Sequence, residues 1–226
     1  MPSPEIPEVV INRLPVYARA LALLAMEGRE VVSSQELGQE LGVTPAQIRK
    51  DLSYFGRFGK QGRGYNITHL SGTLRSILGL DREWRMALVG VGRLGQAILG
   101  YGGFGPQGFN VVKAYDYDVA TIGRREGAIV VEDVANLERS LREAEIDIGI
   151  VAVPGQEAQQ VIDVLVAGGV RAILNYAPIA VRVPAGVYVR QIDPVLSLQS
   201  MTYYLKHADN DARTTDGSAG GALRSV

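Results

Sequence analysis

Residues 86–95 read MALVGVGRLG, so that a short apolar run leads directly into glycines at positions 90, 92 and 95. An apolar run of this length predicts a strand buried on both faces, and the residues after the glycines have the length of a helix. Glycine permits a tight turn, lets the backbone approach a pyrophosphate closely, and lets a helix pack closely on a strand. The free N–H groups at the start of that helix would face the phosphates. The stretch therefore predicts the nucleotide-binding turn of an α/β domain.

An acidic residue ends the next apolar run, residues 110–115, because Asp116 follows it, 21 residues after Gly95. A carboxylate at this place accepts hydrogen bonds from the ribose hydroxyls of adenosine and disfavours a 2′-phosphate. Asp118 is a competing candidate, but it lies past the predicted strand end. A glycine-rich turn with an incidental acid would give the same residues. With strand, helix and acid in register, the sequence favours a site for a dinucleotide or a related nucleotide, and NAD(H) is expected to bind in preference to NADP(H).

After residue 116, short apolar runs continue to alternate with segments of helical length, such as 133–144 and 155–168. This alternation is typical of a parallel sheet covered by helices on both faces. We therefore predict a Rossmann-like domain over residues 85–192. Its further strands are expected at residues 130–131, 147–153, 171–174 and 187–192.

The first half predicts short helices followed by a hairpin. Pro15 suits a first helical turn, and Ser33 with Glu36 is a capping-box pattern. A second such pattern begins at Thr44, so two short helices meet across a tight turn at residues 42–44, which is the spacing of a helix-turn-helix. A glycine-rich hairpin over residues 56–65 and a helix near 70–80 complete a domain of residues 1–84.

Positive charge is concentrated in residues 47–65, which have a net charge of +4, whereas the whole chain has a net charge of −1. The helix after Thr44 places Ile48, Leu52 and Phe55 on one side. Its other side is short, basic and able to form hydrogen bonds, as a helix in the major groove must be. An ordinary solvated helix face has a similar pattern, but the turn spacing, the hairpin and the local charge favour DNA binding.

Composition excludes several classes of protein and of site. The absence of cysteine removes disulfides and thiolate chemistry and fits a cytoplasmic protein. Only His69 and His207 are histidines, so a histidine-rich metal site is not expected. No apolar run approaches the roughly 20 residues that span a bilayer, and the N-terminus lacks the pattern of a secretory signal. We expect a soluble protein with no metal and no membrane segment.

Residues 86–208 are poor in groups for proton transfer, which hydride transfer usually requires. They contain one histidine, His207, and two lysines, Lys113 and Lys206. Their tyrosines form no Tyr-x-x-x-Lys pair. The nucleotide is therefore expected to be a ligand and the protein not an enzyme.

The last part of the chain divides into an apolar helix over residues 193–208 and a tail over 209–226 that we expect to be disordered. Asp193 is the expected N-cap, with Pro194 after it. The helix is apolar on more than one side, which indicates packing either within its own chain or against a partner subunit.

Together these stretches resemble the redox-sensing transcriptional repressor family called Rex, over nearly all of residues 8–207. The most specific stretches are RKDLSYFG at 49–56, GRGY at 62–65, GVGRLG at 90–95 and ILNYAP at 173–178. The resemblance implies a winged-helix DNA-binding domain, a Rossmann domain for NADH and NAD⁺, and a homodimer that exchanges its C-terminal helix. It implies repression at a palindromic double-stranded operator, with release of the DNA when NADH rises.

The motifs and the resemblance together give the expected site residues. The expected cofactor-binding residues are Gly90, Val91, Gly92, Arg93, Leu94, Gly95, Tyr101, Asp116, Val153, Pro154, Asn175, Ala177 and Pro178. The expected DNA-binding residues are Gln47, Arg49, Lys50, Ser53, Tyr54, Lys60 and Arg63. The resemblance further implies that Arg19, Tyr101 and Asp193 exchange partners between the two states. Pro194 departs from the family, since some members have an aromatic residue near the nicotinamide there.

Two alternative functions remain at this point. One is a small NAD-dependent oxidoreductase with a helical appendage, which would turn over a substrate and bind no DNA. The other is a winged-helix regulator that senses a different nucleotide, such as an adenylate or a coenzyme A derivative.

Overall fold

The computed structural model describes residues 6–60 and 63–214. The described residues divide between Arg82 and Glu83 into two compact units, close to the boundary expected near residue 84. Each unit has a core of its own.

The first unit has the elements of a winged helix. In chain order they are α1 (Glu8–Met26), β1 (Val31–Val32), α2 (Ser34–Leu41), α3 (Pro45–Ser53), β2 (Gly59–Lys60), β3 (Gly64–Asn66) and α4 (Ile67–Ile77). The three short strands form an antiparallel sheet in the order β1-β3-β2. Helices α2 and α3 begin at their predicted caps, since Ser33 and Glu36 complete a capping box and the Thr44 side chain accepts from the Gln47 N–H. The predicted helix-turn-helix and hairpin are therefore present.

The first helix is longer than the prediction, because α1 begins at Glu8 and Pro15 lies inside it. A proline in a helix interior costs about 3 kcal/mol or more, which makes the prediction of Pro15 in the first turn reasonable but wrong. Val10 and Leu14 explain the difference, because both are buried in the turns before Pro15. Packing of these side chains offsets the cost of the proline.

Among the described helices, α1 alone is long and apolar enough to cross a bilayer, with a mean hydropathy of 1.4 over 18 residues. The expectation that no apolar run approaches that length overlooked this helix. Its buried residues include Tyr17, Leu21 and Leu24, which belong to the core of the first unit. Helix α1 is accordingly a core helix of that unit.

The second unit is a doubly wound α/β domain. Its elements are β4 (Trp84–Val89), α5 (Arg93–Leu99), β5 (Phe109–Asp116), β6 (Arg125–Glu126), β7 (Ile129–Asp133), α6 (Leu137–Ala144), β8 (Ile148–Val151), α7 (Gly155–Ala167), β9 (Ala172–Asn175), β10 (Tyr188–Gln191) and α8 (Pro194–Thr214). The sheet has the order β10-β9-β8-β4-β5-β7-β6 and is parallel except for β6. The strand order reverses between β4 and β8, and ligands of such sheets bind at the carboxyl ends of the strands at this point.

The last helix differs from the prediction in two ways. Helix α8 continues to Thr214, so residues 209–214 are helical and not part of a disordered tail. No proline or glycine interrupts the chain before Gly217, which gives the helix no stop signal. The remainder of the predicted tail, residues 215–226, lies outside the described residues.

Helix α8 is also not buried within its own chain, although such packing was one of the two interpretations of its apolar surface. Seven of its large apolar side chains are more than half exposed, namely Val195, Leu196, Leu198, Met201, Tyr203, Tyr204 and Leu205. Asp193 occupies the predicted capping position, because its Oδ1 accepts from the Val195 N–H at 2.9 Å.

Candidate nucleotide site and nucleic-acid interface

The three glycines of the turn after β4 have three different environments. Gly90 has a φ of +94°, and a Cβ there would lie 2.6 Å from the Ala152 carbonyl oxygen. A Cβ on Gly95 would lie 2.1 Å from the Gly90 carbonyl oxygen, so this glycine lets α5 pack on the turn. A Cβ on Gly92 would meet open space, and this residue precedes α5 without a side-chain cap. The backbone is thus uncovered at Gly92, where the motif expects a phosphate.

A cavity of about 520 Å³ opens beside this turn. Five of the predicted cofactor residues line it, namely Gly90, Gly92, Asp116, Val153 and Pro154. It lies where β4 and β8 end, at the reversal of the strand order. Its size is in the range of ligand pockets, which are about 300–1,000 Å³.

Asp116 connects the glycine turn to the end of β5. Its carboxylate is almost completely buried and accepts from the Val91 N–H at 2.6 Å and from the Asp118 N–H at 2.9 Å. Each carboxylate oxygen has a further lone pair, so these bonds leave capacity for a ribose hydroxyl. Asp118 is exposed and lines the same cavity. Two carboxylates therefore line the part of the cavity where a ribose is expected.

The remaining predicted cofactor residues do not line this cavity. Val91 and Gly95 are buried in the turn, whereas Arg93 and Leu94 are exposed on α5. Tyr101 is 61% exposed, and its ring contacts Phe104 edge to face.

Asn175 has a structural role in its own loop. It is completely buried, its Oδ1 accepts from the Ala177 N–H, and its Nδ2 donates to the Ala177 carbonyl and to Gln191. These bonds fix the loop after β9, in which Ala177 is buried and Pro178 is exposed. In this structure the Asn175 side chain positions the loop and its polar atoms face protein partners.

Helices α6 and α7 provide a wall of the cavity that was not predicted from the sequence. Their apolar side chains have the periodicity of any core helix, so the pattern gave no signal for a ligand. The missed lining residues are Val89, Tyr117, Thr121, Val134, Leu137, Ala152, Glu157, Gln160, Val161 and Val164. Their only sequence signal is their place at or after the carboxyl ends of parallel strands.

Helix α3 presents a cationic surface. Arg49, Lys50 and Ser53 are exposed, and Tyr54, the residue after the helix, is half-buried. The Arg49 guanidinium donates to the Ser34 hydroxyl at 2.9 Å, and the Ser53 hydroxyl donates to the Lys50 carbonyl at 2.7 Å. The hydrogen bond to Ser34 links the side chain of Arg49 to the start of α2.

A groove of about 750 Å³ runs between α2, α3 and the hairpin of the first unit. Arg49, Ser53 and Arg57 line it, which gives it two cationic side chains. Arg63 is exposed in the hairpin. Lys60 lies in β2, but its side chain is outside the described part of the structure.

Asp51 is a buried residue of α3 whose carboxylate accepts hydrogen bonds from side chains of α1. The Arg13 guanidinium donates to both its oxygens at 2.6 and 2.8 Å, Tyr17 donates at 2.7 Å and the Gln47 amide at 2.6 Å. Burial disfavours the charged carboxylate, but these hydrogen bonds outweigh burial and hold the pKa of Asp51 below its ordinary value. The one acid of residues 47–65 is thus compensated internally, and the exposed side chains of α3 are left with the positive charge.

No group of three or more acidic or histidine side chains suited to a metal ion occurs in the described residues.

Family comparisons divide the chain in the same way as the fold. Residues 5–53 match the family described as "Putative DNA-binding protein N-terminus". Residues 81–179 match the family described as "CoA binding domain".

Relatives and solved structures match nearly the whole chain. A redox-sensing transcriptional repressor Rex of Chloroflexus aggregans is 55% identical over 90% of this chain and 96% of the relative, and that of a Roseiflexus species is 54% identical over 92% and 95%. A crystal structure of RSP in complex with NAD⁺ and operator DNA covers 95% of this chain and 99% of its own, with a TM-score of 0.87 and 37% identity. A structure of RSP with NADH has a TM-score of 0.84, 35% identity and coverage of 93% and 99%.

These matches agree with the winged helix, the doubly wound sheet and the glycine turn described above, and they cover both units. They also decide between a regulator and an oxidoreductase, because the family consists of repressors and not of enzymes. This chain belongs to the Rex family of redox-sensing transcriptional repressors.

Proposed function

We propose that this chain is a cytoplasmic homodimeric repressor that binds palindromic operator DNA and releases it when NADH binds. The observation that carries the proposal is the open backbone at Gly92 beside a cavity at the strand-order reversal, in a chain that also has a winged helix. Structures of RSP, at 35–37% identity, contain NADH in one case and NAD⁺ with operator DNA in another.

The nucleotide is NAD(H) and not NADP(H). Asp116 and Asp118 both line the cavity, and a 2′-phosphate near them would meet two carboxylates. Loss of one charged hydrogen bond alone is worth about 1.5–3 kcal/mol, to which like-charge repulsion adds. Arg93 is exposed and is not expected to be essential, because the turn presents its backbone to the phosphates.

The DNA contacts come from α3 and the hairpin. Lys50 is exposed one turn after the start of α3 and is suited to a base edge, while Ser53 and Tyr54 lie near phosphate or sugar. Arg63 and Lys60 of the hairpin would approach the minor groove. Replacement of Arg63 by Ala should therefore weaken binding to all sequences and flatten its salt dependence.

The homodimer is supported by the exposed apolar surface of α8. Seven large apolar side chains on one helix are more than a soluble monomer usually exposes together. A second copy of this chain would cover them, and a palindromic operator needs such two-fold symmetry.

Release of DNA depends on the redox state of the nicotinamide, which is cationic in NAD⁺ and neutral in NADH. Tyr101, Phe104, Ala177 and Pro178 would form a largely apolar surrounding, in which an unpaired cation is costly. We expect NADH to close the dimer and to change the distance between the two α3 helices. Arg19 would pair with Asp193 in the DNA-bound state, and Asp193 would turn to Tyr101 when NADH binds.

Titration of NADH against a labelled operator tests the proposal. The operator is obtained by selection from a random pool of DNA duplexes with the purified protein, and NAD⁺, NADPH and coenzyme A are titrated in parallel. NADH should release the DNA at the lowest concentration. Release by coenzyme A and not by NADH would favour the regulator of a different nucleotide, and failure to select any sequence would contradict repression.

A further inference from the structure

Gln47 stands at the place where a recognition helix meets base edges. It is the third residue of α3, and the N-terminal residues of such helices contact the bases in the major groove. Its side chain is half-buried, and its Nε2 donates to Asp51 Oδ1 at 2.6 Å. The side chain is therefore not free to rotate as an exposed glutamine is.

Asp51 decides which way the Gln47 amide faces. An ionised carboxylate only accepts hydrogen bonds, and the two bonds from Arg13 keep Asp51 ionised. A half-turn of the amide would place Gln47 Oε1 against the Asp51 oxygens, acceptor against acceptor. The nitrogen must therefore face Asp51, and within the described residues Oε1 has no hydrogen-bond partner.

The amide keeps one acceptor and one donor for a ligand after the bond to Asp51. These are Oε1 and the second N–H of Nε2. Adenine presents a complementary pair in the major groove, the N6 amino donor and the N7 acceptor. Guanine presents two acceptors, O6 and N7, so its O6 would face Gln47 Oε1 without a proton between them.

We propose that Gln47, held in one orientation by Asp51, is a specificity-determining residue that recognises one adenine in each half of the operator. The proposal rests on the proposed DNA-binding function. Asp51 is a positioning residue, because it is completely buried and can influence the contact with the base only through Gln47. Lys50 complements this contact, since its ammonium group only donates and therefore suits guanine.

Selection from a random pool of DNA duplexes tests the proposal with wild type, Gln47→Ala and the control Gln39→Ala. Gln39 is an exposed residue of α2, so its replacement is the same chemical change away from α3. Wild type and Gln39→Ala should select the same palindrome with an adenine at one position of each half. Gln47→Ala should select the same palindrome without a preference at that position.

Affinities for operators with a single base changed then measure how strongly Gln47 discriminates between bases. Exchange of this adenine for guanine should weaken wild-type binding about 5- to 150-fold and should leave Gln47→Ala nearly unchanged. If Gln47→Ala selects the full wild-type palindrome, the inference is wrong while the repressor function stands. If wild type selects no sequence, the repressor function itself is overturned.

Base analogues test the orientation without any change in the protein. Replacement of the adenine by 7-deazaadenine removes the N7 acceptor, and replacement by purine removes the N6 donor. Each should weaken wild-type binding and have little effect on Gln47→Ala. Equal affinity of wild type for all three bases would overturn the inference.

Asp51→Asn tests the positioning role, because an asparagine can donate to Gln47 Oε1 and so allow the amide to turn. The discrimination between adenine and guanine should fall in this variant, whereas the affinity for non-specific DNA should not fall, because the change removes a negative charge. Unchanged discrimination between adenine and guanine in the folded variant would show that Asp51 does not orient the Gln47 amide. If the variant does not fold, the base analogues still decide the orientation.

Discussion

At the scale of single residues, one glycine of the turn is required for packing and another leaves space for the ligand. Gly95 is required by packing, since a Cβ would lie 2.1 Å from a backbone oxygen, whereas Gly92 has open space around it. The two positions are three residues apart in one motif, so the same substitution at each forms a matched pair.

We predict that Gly95→Ala lowers the free energy of unfolding by about 1–3 kcal/mol, the usual cost of overpacking. Gly92→Ala should unfold like wild type but bind NADH more weakly, because its methyl group would occupy the space next to the phosphates. Thermal unfolding and NADH titration of both variants check this. Wild-type NADH affinity in Gly92→Ala would show that the phosphates do not lie at this turn.

At the scale of elements, the bonds from Arg13 and Tyr17 to Asp51 join α3 to α1. Arg13→Ala leaves a buried carboxylate without its ion-pair partner, which typically costs about 3–5 kcal/mol. The control Arg29→Ala removes a partly exposed pair with Glu36 in the same unit, for which a much smaller loss is expected because solvent screens the two charges. Thermal unfolding followed by circular dichroism gives both values. Equal losses in the two variants would contradict the importance of the buried pair.

Because of the Asp51 carboxylate, we expect the stability of the folded chain to depend on pH. The pKa of Asp51 is lower in the folded chain than its ordinary value, so the folded state binds fewer protons there than the unfolded state. Its contribution to stability is therefore complete above the ordinary pKa, about 3.9, and is lost as the pH falls through the folded value. The difference in stability between wild type and Arg13→Ala should shrink below about pH 4. An unchanged difference down to pH 2 would speak against this assignment.

Helix α8 gives a second prediction at this scale. Leu198 is 59% exposed in the single chain, so Leu198→Asp should not disturb the folding of either unit. It should shift the protein from dimer to monomer and reduce operator binding, whereas Gln199→Asp, a neighbouring exposed position, should do so less. Sedimentation velocity measures the oligomeric state. A dimeric Leu198→Asp protein would show that this face of α8 is not the interface.

The elements themselves were predictable where local signals agree with packing. The capped helices α2 and α3 and the apolar strands of the sheet follow directly from periodicity and capping residues. Pro15 misled the prediction because burial of Val10 and Leu14 outweighs a local signal. The α6 and α7 wall of the cavity and the bonds from Arg13 and Tyr17 to Asp51 depend on contacts between elements distant in sequence, which periodicity does not contain.

At the scale of the whole molecule, the two sites are coupled if NADH releases DNA. Linkage requires operator DNA to weaken NADH binding by the same factor by which NADH weakens DNA binding, and such couplings are typically about 1–3 kcal/mol. NADH affinity measured with and without saturating operator tests this. Asp193→Ala should reduce the factor in both directions, and identical NADH affinities in the wild type with and without DNA would show that the sites are independent.

The exposed surface of α8 also bears on how the protein reaches its native state. Both cores close within a single chain, so their formation is a first-order process whose rate does not depend on how many chains are present. In the proposed homodimer, the covering of Leu196, Leu198 and Leu205 by a second chain instead requires a collision between two molecules. Renaturation from denaturant should accordingly show a final slow phase that accelerates in proportion to protein concentration, and a newly synthesised subunit would then acquire its operator-binding form only after it has met another.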